Sequence, residues 1–262
     1  MMETDDTKIY TEINRRLPSV CERVCEVLSE QSKTDDTRRI VLSFVRRAQC
    51  TLLGVNALQQ QELWEPAQIL VRVLFEGQLT FRQFARRYKE DPRKACERLV
   101  DANLIATLKH FDLVSDSVNV GAQVNSMRKA EQVIKERYGE KEFGRIRKHG
   151  FTGICVEQRA IKEDQAGIYN LVYRLFSRNV HGTVLAEATS LDADSPLPNQ
   201  SWALANRNDL MLYIAGISAA GIVDLTNRIC GCGVDNEIAD ISARFDSTKP
   251  PIQEEANRVA GD

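Results

Sequence analysis

Residues 66–92 read PAQILVRVLFEGQLTFRQFARRYKEDP, and this stretch decides the fold class. A proline stands at each end, in the first turn of a helix, where its missing N–H has no partner to lose. Between the prolines the apolar side chains recur every three or four residues, which is the period of an amphipathic helix. The stretch therefore predicts one long helix, followed at once by another that Asp91 caps.

The same apolar period continues through most of the chain, and no stretch alternates apolar and polar residues for long enough to predict a strand. The predicted fold class is therefore all-α, a multi-helix bundle of long antiparallel helices. Glycines interrupt a basic segment between residues 139 and 150, where we expect looser structure. The helices are expected over about 6–31, 37–62, 66–89, 92–114, 121–138, 156–181 (broken near Gly167) and 206–229.

The predicted domain organisation is a single helical domain over residues 1–245. It consists of an N-terminal helical hairpin, 1–62, and a core, 66–230. A flexible tail, 246–262, contains Pro250 and Pro251. The most apolar run, LMLYIAGISAAGIV at 210–223, is shorter than the ~20 residues that span a bilayer. It predicts a buried core helix, with no membrane association.

The composition is that of a globular protein, with 43% hydrophobic and 27% charged residues and a net charge of -2. No global field draws such a chain to nucleic acid or anionic lipid, which leaves only a local basic face for that purpose. Its acidic first residues do not form a signal peptide. Seven cysteines include no CxxC pair and no zinc-finger spacing, so we expect no metal and no cofactor. A reduced, cytoplasmic location is expected.

The main functional hint is the segment IYNLVYRLFSRNVHG at residues 168–182. Asn170, Arg174, Ser177 and His181 are spaced four, three and four apart, which puts them on one face of a helix. Aromatic residues, among them Tyr169 and Tyr173, form an adjacent stripe. The polar face is either a satisfied seam between helices or a catalytic or ligand-binding face.

A second polar pair, Arg72 and Glu76, lies four residues apart inside the apolar run 67–81. A buried charge costs several kcal/mol unless it is paired, so an ion pair at the core seam is expected. The pair is either structural or reaches Arg174 or His181 on a neighbouring helix. The candidate binding residues are therefore Arg72, Glu76, Asn170, Tyr173 and Arg178.

The R-x-x-x-E motif and the downstream Y-x-x-x-Y-R-x-x-S-x-x-x-H-G motif together resemble a bacterial family of all-helical proteins of unknown function, over roughly residues 50–230. The second motif also resembles that of the HEPN ribonucleases, in which a histidine follows an arginine after a short spacer. Arg174 and His181 match this pattern with six residues between them, although Leu175 stands where a polar residue is usual. This resemblance implies a HEPN-like helical core and a dimer that places two motifs across a cleft.

Two functions of different classes follow from these motifs. The first is a metal-independent ribonuclease of a bacterial defence or toxin-type system, in which His181 acts as acid and base and Arg174 clamps a phosphate. Ser177 or Asn170 would position the substrate. A basic run could guide the RNA: Arg82, Arg86, Arg87, Lys89, Arg93, Lys94 and Arg98.

The second function is a non-catalytic helical module, whose polar stripe fixes the helix register or binds a small polar ligand. Its partner would be another protein. For both functions we expect either a homo-oligomer or a complex with a protein partner.

Overall fold

The computed structural model describes residues 5–32, 35–114, 121–175 and 200–248. Of these described residues 91% are helical, and they include no strand. Globular proteins average about 30–35% α-helix, so the chain is helical far beyond the norm. The predicted all-α, multi-helix fold is confirmed.

Nine α-helices cover the described residues, together with one 3-10 turn and one π-helical turn. The 3-10 turn, Gly150–Thr152, follows α5, and the π-helical turn, Leu171–Leu175, follows α7 directly. The helices are α1 Asp5–Gln31, α2 Asp36–Gln60, α3 Trp64–Glu90, α4 Pro92–Val114, α5 Gly121–His149, α6 Val156–Lys162, α7 Ala166–Asn170, α8 Gln200–Cys230 and α9 Asp235–Ser247.

The chain divides into two compact units. Unit 1 comprises Met1–Leu79 and Glu163–Asp262, and unit 2 comprises Thr80–Lys162. Helix α3 contributes its first part to unit 1 and its second part to unit 2. The division into a hairpin, a core and a tail, with boundaries at residues 62–66 and 246, stays a prediction.

Two helix starts form as the sequence indicates. The Asp35 side chain accepts a hydrogen bond from the Thr37 backbone N–H at 2.8 Å, which caps α2. Asp91 Oδ1 accepts from the Lys94 backbone N–H at 3.1 Å, in front of a helix that begins at Pro92. Both caps satisfy donors that the first turn of a helix leaves without intrahelical partners.

The basic segment after residue 138 is helical, which corrects the looser structure predicted there. Gly139 has φ 71° and ψ 160°, outside the helical region, so the helix expected over 121–138 breaks there as predicted, and a second helical stretch follows to His149. Beyond the kink, Phe143 and Ile146 are buried, at 6% and 1% exposure. Their packing stabilises the helical stretch after the kink, where the glycines by themselves favour looser structure.

Two further boundaries differ from the predicted ones. The break expected near Gly167 comes earlier, between α6 and α7, where Asp164 takes a left-handed conformation with φ 55°. Helix α9 was absent from the prediction, and it buries Ile241 and Phe245 four residues apart. Its apolar side is too short to stand out in the sequence without the helices that it packs on.

In unit 1, a proline inside α1 leaves one backbone carbonyl group without its usual helical N–H donor. Pro18 lies inside α1 and lacks the N–H that would bond to the Asn14 carbonyl oxygen. Asn56 Nδ2 on α2 donates to that oxygen at 2.8 Å. Asn14 is itself fully buried, and its Nδ2 donates to the Leu212 carbonyl oxygen on α8 at 2.9 Å. One buried asparagine thereby ties three helices together.

Helices α1 and α2 run antiparallel, because residues later in α1 contact residues earlier in α2. Asn14 meets Asn56, and Pro18 accepts from Gln49 at 3.2 Å. Helix α8 packs against both helices. Its part Asn208–Cys230 is long and apolar enough to cross a membrane, and 67% of its most apolar window is buried within the protein. The contacts with α1 and α2 explain that apolar surface as protein core.

Unit 2 has its own core, in which α4 and α5 run antiparallel. Arg137 and Tyr138 both bond to Asp101 Oδ2, at 2.7 Å and 3.0 Å, and one turn further along α5, Glu142 meets Arg98. The second part of α3 adds the stacked rings of Phe81 and Phe84, with centroids 5.9 Å apart. Burial of these rings helps to hold α3, α4 and α5 together.

The tight packing of α8 gives a stability prediction. A Cβ added at Gly216 would overlap the Phe245 ring and lie 2.7 Å from Asn14 Oδ1. Gly216→Ala should therefore lower the free energy of unfolding by about 1–3 kcal/mol. Gly77→Ala is the matched control, because nothing lies within 4 Å of its added Cβ. The control should gain up to about 1 kcal/mol from helix propensity. Equal urea midpoints for the two variants would contradict this packing.

Candidate functional site

The first part of the candidate site is an ion pair on α3. Arg72 Nε donates to Glu76 Oε1 at 3.0 Å, across one turn of the helix. Val71 and Phe75, which neighbour the pair in sequence, are fully buried, whereas the pair retains 27% and 34% side-chain exposure. The two charges therefore lie at the edge of the core, where both the desolvation cost and the Coulomb attraction are moderate.

The second part of the site comes from the π-helical turn. The Tyr173 hydroxyl donates to Glu76 Oε1, the oxygen that also accepts from Arg72. The Arg72 guanidinium carbon lies 4.1 Å from the centre of the Tyr173 ring, a cation–π contact. Leu171 and Val172, just before Tyr173, are fully buried and anchor the turn. Glu76 thus connects α3 to the segment that follows α7.

A second aromatic ring extends this contact. Tyr169 stacks on Tyr173 with ring centroids 4.4 Å apart and an interplanar angle of 28°. Arg72, Tyr173 and Tyr169 therefore form a stack of one guanidinium and two rings beside the Glu76 carboxylate. The sequence placed Tyr169 in the aromatic stripe but not in the site, and the four-residue spacing of the two tyrosines was the available signal.

The Tyr173 hydroxyl is a poor proton donor to solvent. Burial raises the pKa of Tyr173 above its ordinary value, and the hydrogen bond to the Glu76 carboxylate and its negative charge raise it further. The nearby Arg72 charge opposes this shift without cancelling it. Around neutral pH the hydroxyl therefore keeps its proton and orients the carboxylate.

The structure brings together three of the residues predicted for the site, Arg72, Glu76 and Tyr173. Asn170 ends α7 and is partly exposed. The backbone of Arg174 belongs to the π-helical turn, but its side chain lies outside what the structure describes. The three remaining candidates lie wholly outside the described residues: Ser177, Arg178 and His181.

The π-helical turn changes the basis of the one-face argument for Asn170 and Arg174. That argument assumed 3.6 residues per turn, whereas a π turn bonds residue i to i+5. A spacing of four residues across Leu171–Leu175 therefore does not align side chains as it does on an α-helix. Single π turns inside helices occur often at functional sites. The π turn is therefore a second sign of a functional site in this segment, and it does not depend on the one-face argument.

Metal ligands and cysteines make no visible contribution to this site. Among the described residues no three His, Cys, Asp or Glu side chains are grouped closely enough to hold a metal ion. Cys21 and Cys25 are buried, and burial raises the pKa of Cys21 to about 12. A thiol in this state is a weak nucleophile.

Comparison with known proteins identifies the family. Residues 38–196 match a family of unknown function (DUF5677). The chain belongs to this family. The matched region begins in α2 and includes Arg72, Glu76 and the whole of the 168–182 segment, so the proposed site residues all lie inside the DUF5677 region. It ends before α8, earlier than the residue 230 expected from the motifs. No curated protein and no solved structure matches the chain.

For this DUF5677 protein the resemblance to an all-helical family of unknown function is therefore established at the level of the family. The likeness of the Arg174–His181 motif to HEPN ribonucleases stays a prediction. The family assignment carries no activity with it, so any function must be argued from the site.

Tyr173→Phe tests the connection between α3 and the π-helical turn. The variant keeps the ring stack but loses the hydrogen bond to Glu76, so the free energy of unfolding at neutral pH should fall by about 1 kcal/mol. Urea unfolding of both proteins measures this difference. An unchanged free energy of unfolding would mean that the hydroxyl contributes nothing to holding the turn.

The same pair of proteins gives a pH prediction. Because the folded-state pKa of Tyr173 is raised, its stabilising contribution is present below the unfolded pKa, about 10, and is lost as the pH rises through the folded value. The stability advantage of the wild type over Tyr173→Phe should therefore shrink above about pH 10. A constant difference between neutral and alkaline pH would contradict the assignment of the raised pKa to Tyr173.

Proposed function

We propose that this DUF5677 protein is a HEPN-like, metal-independent ribonuclease of the cytoplasm that acts in a bacterial defence or toxin-type system. Its reacting groups would be His181 and Arg174, on the segment that continues from the π-helical turn. Arg72, Glu76 and Tyr173 would hold the start of that segment in place.

The proposed chemistry needs a base for the RNA 2′-hydroxyl proton and a cation for the scissile phosphate. Histidine titrates near neutral pH and can both accept and return the proton, which is the role of His181. Arginine offers a fork of N–H donors that fits two phosphate oxygens, which is the role of Arg174. Ser177 would orient the substrate, and Asn170 and Arg178 would bind it.

One observation carries this proposal, the convergence of Tyr173 and Arg72 on a single oxygen of Glu76. Tyr173 immediately precedes Arg174, so the hydrogen bond to Glu76 fixes the backbone next to the proposed phosphate clamp. A catalytic group must be held to within a fraction of an ångström, and a hydrogen-bonded supporting residue is the usual means.

The same contacts around Glu76 also support a second function. Glu76, Arg72 and Tyr173 bond to one another, and the Tyr169 ring covers Tyr173. Such a mutually bonded cluster also suits a non-catalytic module, in which it sets the helix register for binding a protein partner or a small polar ligand. In that case the contribution of Arg174 would be to stability rather than to chemistry.

RNA cleavage by the purified protein with a chelator present separates the two functions. The ribonuclease predicts cleavage that His181→Ala and Arg174→Ala each reduce by a factor of about 100 or more, the usual size of an acid–base contribution. Both variants should keep the helical circular-dichroism spectrum of the wild type.

Arg228→Ala is the matched control for loss of a cation. Arg228 is exposed on α8 and pairs with Asp224 one turn away, so its removal should leave cleavage unchanged. An intact RNA substrate with the wild-type protein, together with a lower melting temperature for Arg174→Ala, would favour the binding module. A dimer is part of the ribonuclease proposal, and light scattering that shows a monomer under the cleavage conditions would contradict that part.

A further inference from the structure

Positive charge is concentrated in unit 2. Residues 80–162 carry 18 Lys and Arg against 11 Asp and Glu, a net charge of +7, whereas the whole chain carries 35 against 37. Unit 1 accordingly carries 17 against 26, a net charge of -9. The near-neutral total hides two opposite charges, and only unit 2 has the sign that attracts a polyanion.

Ion pairs remove part of this positive charge from the surface of α4. Arg93 pairs with Glu97 at 2.9 Å, and Lys94 pairs with Asp91 at 3.1 Å. Both belong to the basic run that the sequence suggested as an RNA guide. The run as a whole is therefore not a row of unpaired cations, and the excess charge must be sought elsewhere in the unit.

Three guanidinium groups gather at the turn between α5 and α6. Arg98 Nε donates to the Phe151 carbonyl oxygen at 2.8 Å, and Arg98 Nη2 lies 2.5 Å from Glu142 Oε1. Arg145 reaches the other oxygen of Glu142 at 3.4 Å. The Arg87 guanidinium carbon lies 5.6 Å from the centre of the Phe151 ring. Three positive charges thus surround a turn with one carboxylate at ion-pair distance.

Of these three arginines, Arg87 is the one without an acidic ion-pair partner among the residues that the structure describes. Its Nε is buried without a hydrogen-bond partner among them. Burial lowers the pKa of Arg87, and the positive charge of Arg98 lowers it further, against the weaker opposing effects of Glu142 and Glu90. A half-buried guanidinium beside another one is costly, and an anion bound between them would offset that cost.

We propose that Arg87 and Arg145, beside the buried Arg98 at the turn Gly150–Thr152, bind a phosphate group of a nucleic acid. Lys148 lies in the last turn of α5, directly before this turn, and adds to the positive field. The proposal concerns binding by unit 2 and does not depend on whether the chain cleaves RNA.

A nucleic acid fits the described surface better than other polyanions. The planar fork of arginine matches phosphate oxygens, and a net charge of +7 suits a ligand with repeated phosphates. Among the described residues of the unit, the large exposed apolar side chains are Val100, Val133 and Ile161, one each on α4, α5 and α6, so no single helix presents the exposed apolar stripe by which an amphipathic helix inserts into a membrane. Contacts to phosphates imply little preference for base sequence.

The test is fluorescence anisotropy with the full chain and a labelled 2′-O-methyl RNA of about 20 nucleotides, longer than most single-strand sites. The 2′-O-methyl group blocks cleavage, so failure of binding and failure of the ribonuclease proposal are distinguishable. Arg87→Gln should weaken binding about tenfold at low salt, the equivalent of one charge-assisted hydrogen bond. It should also reduce the slope of log affinity against log salt by about 0.7.

Two further variants keep the result interpretable. Arg228→Gln in unit 1 removes the same charge from an exposed, paired arginine and should change the affinity less than twofold. Arg87→Lys keeps the positive charge, so it should retain the salt slope of the wild type. A reduced slope in Arg87→Gln alone is then due to the lost charge and not to unfolding. Circular dichroism of each variant checks that the helices remain.

The competing outcomes each overturn the proposal. No RNA binding, or equal losses for Arg87→Gln and Arg228→Gln, would contradict a nucleic-acid site at this turn. Inorganic phosphate that raises the melting temperature of the wild type, without any RNA binding, would assign the turn to a small anion instead. Binding to phosphatidylglycerol vesicles that RNA does not compete away would assign the positive charge to a membrane surface.

Discussion

The candidate site depends on the hydrogen bonds that the carboxylate of Glu76 accepts. One of its oxygens accepts from Arg72 on the same helix and from Tyr173 in the π-helical turn. Without Glu76, the half-buried Arg72 would lose its ion-pair partner, and the Tyr173 hydroxyl would lose its acceptor at the edge of the core. The cost of leaving such groups unpaired adds to the burial of Leu171 and Val172 in holding the π-helical turn against α3.

The two units divide the physical tasks between them. Unit 1 contains the mutually bonded residues of the site and the buried Asn14, whose side chain and carbonyl group join α1 to α8 and α2. Unit 2 contains the arginines of the turn after α5, with more guanidinium groups than carboxylates to neutralise them. An orienting network and a source of positive charge do different work in binding RNA, and each lies within a single unit. The proposals assign the first to unit 1 and the second to unit 2.

The sequence predicted what local chemistry controls and missed what tertiary packing controls. The starts of α2 and α4 follow from the capping residues Asp35 and Asp91, because capping depends on a few adjacent residues. Gly139 indicated a break and a kink lies there, but the looser structure expected after it is helical, because Phe143 and Ile146 are buried. In the site, the spacing of Arg72 and Glu76 predicted their ion pair. The bond from Tyr173 to Glu76 joins residues 97 positions apart, and no local pattern specifies that distance.

The central claim is that Glu76 and Tyr173 act as one unit that joins the π-helical turn to α3. A double-mutant cycle with Glu76→Ala, Tyr173→Phe and the double variant measures their coupling directly from urea unfolding. The account predicts a coupling free energy above about 0.5 kcal/mol, because either substitution alone already breaks the shared hydrogen bond. Additive losses, with the double variant destabilised by the full total of the two single variants, would contradict it.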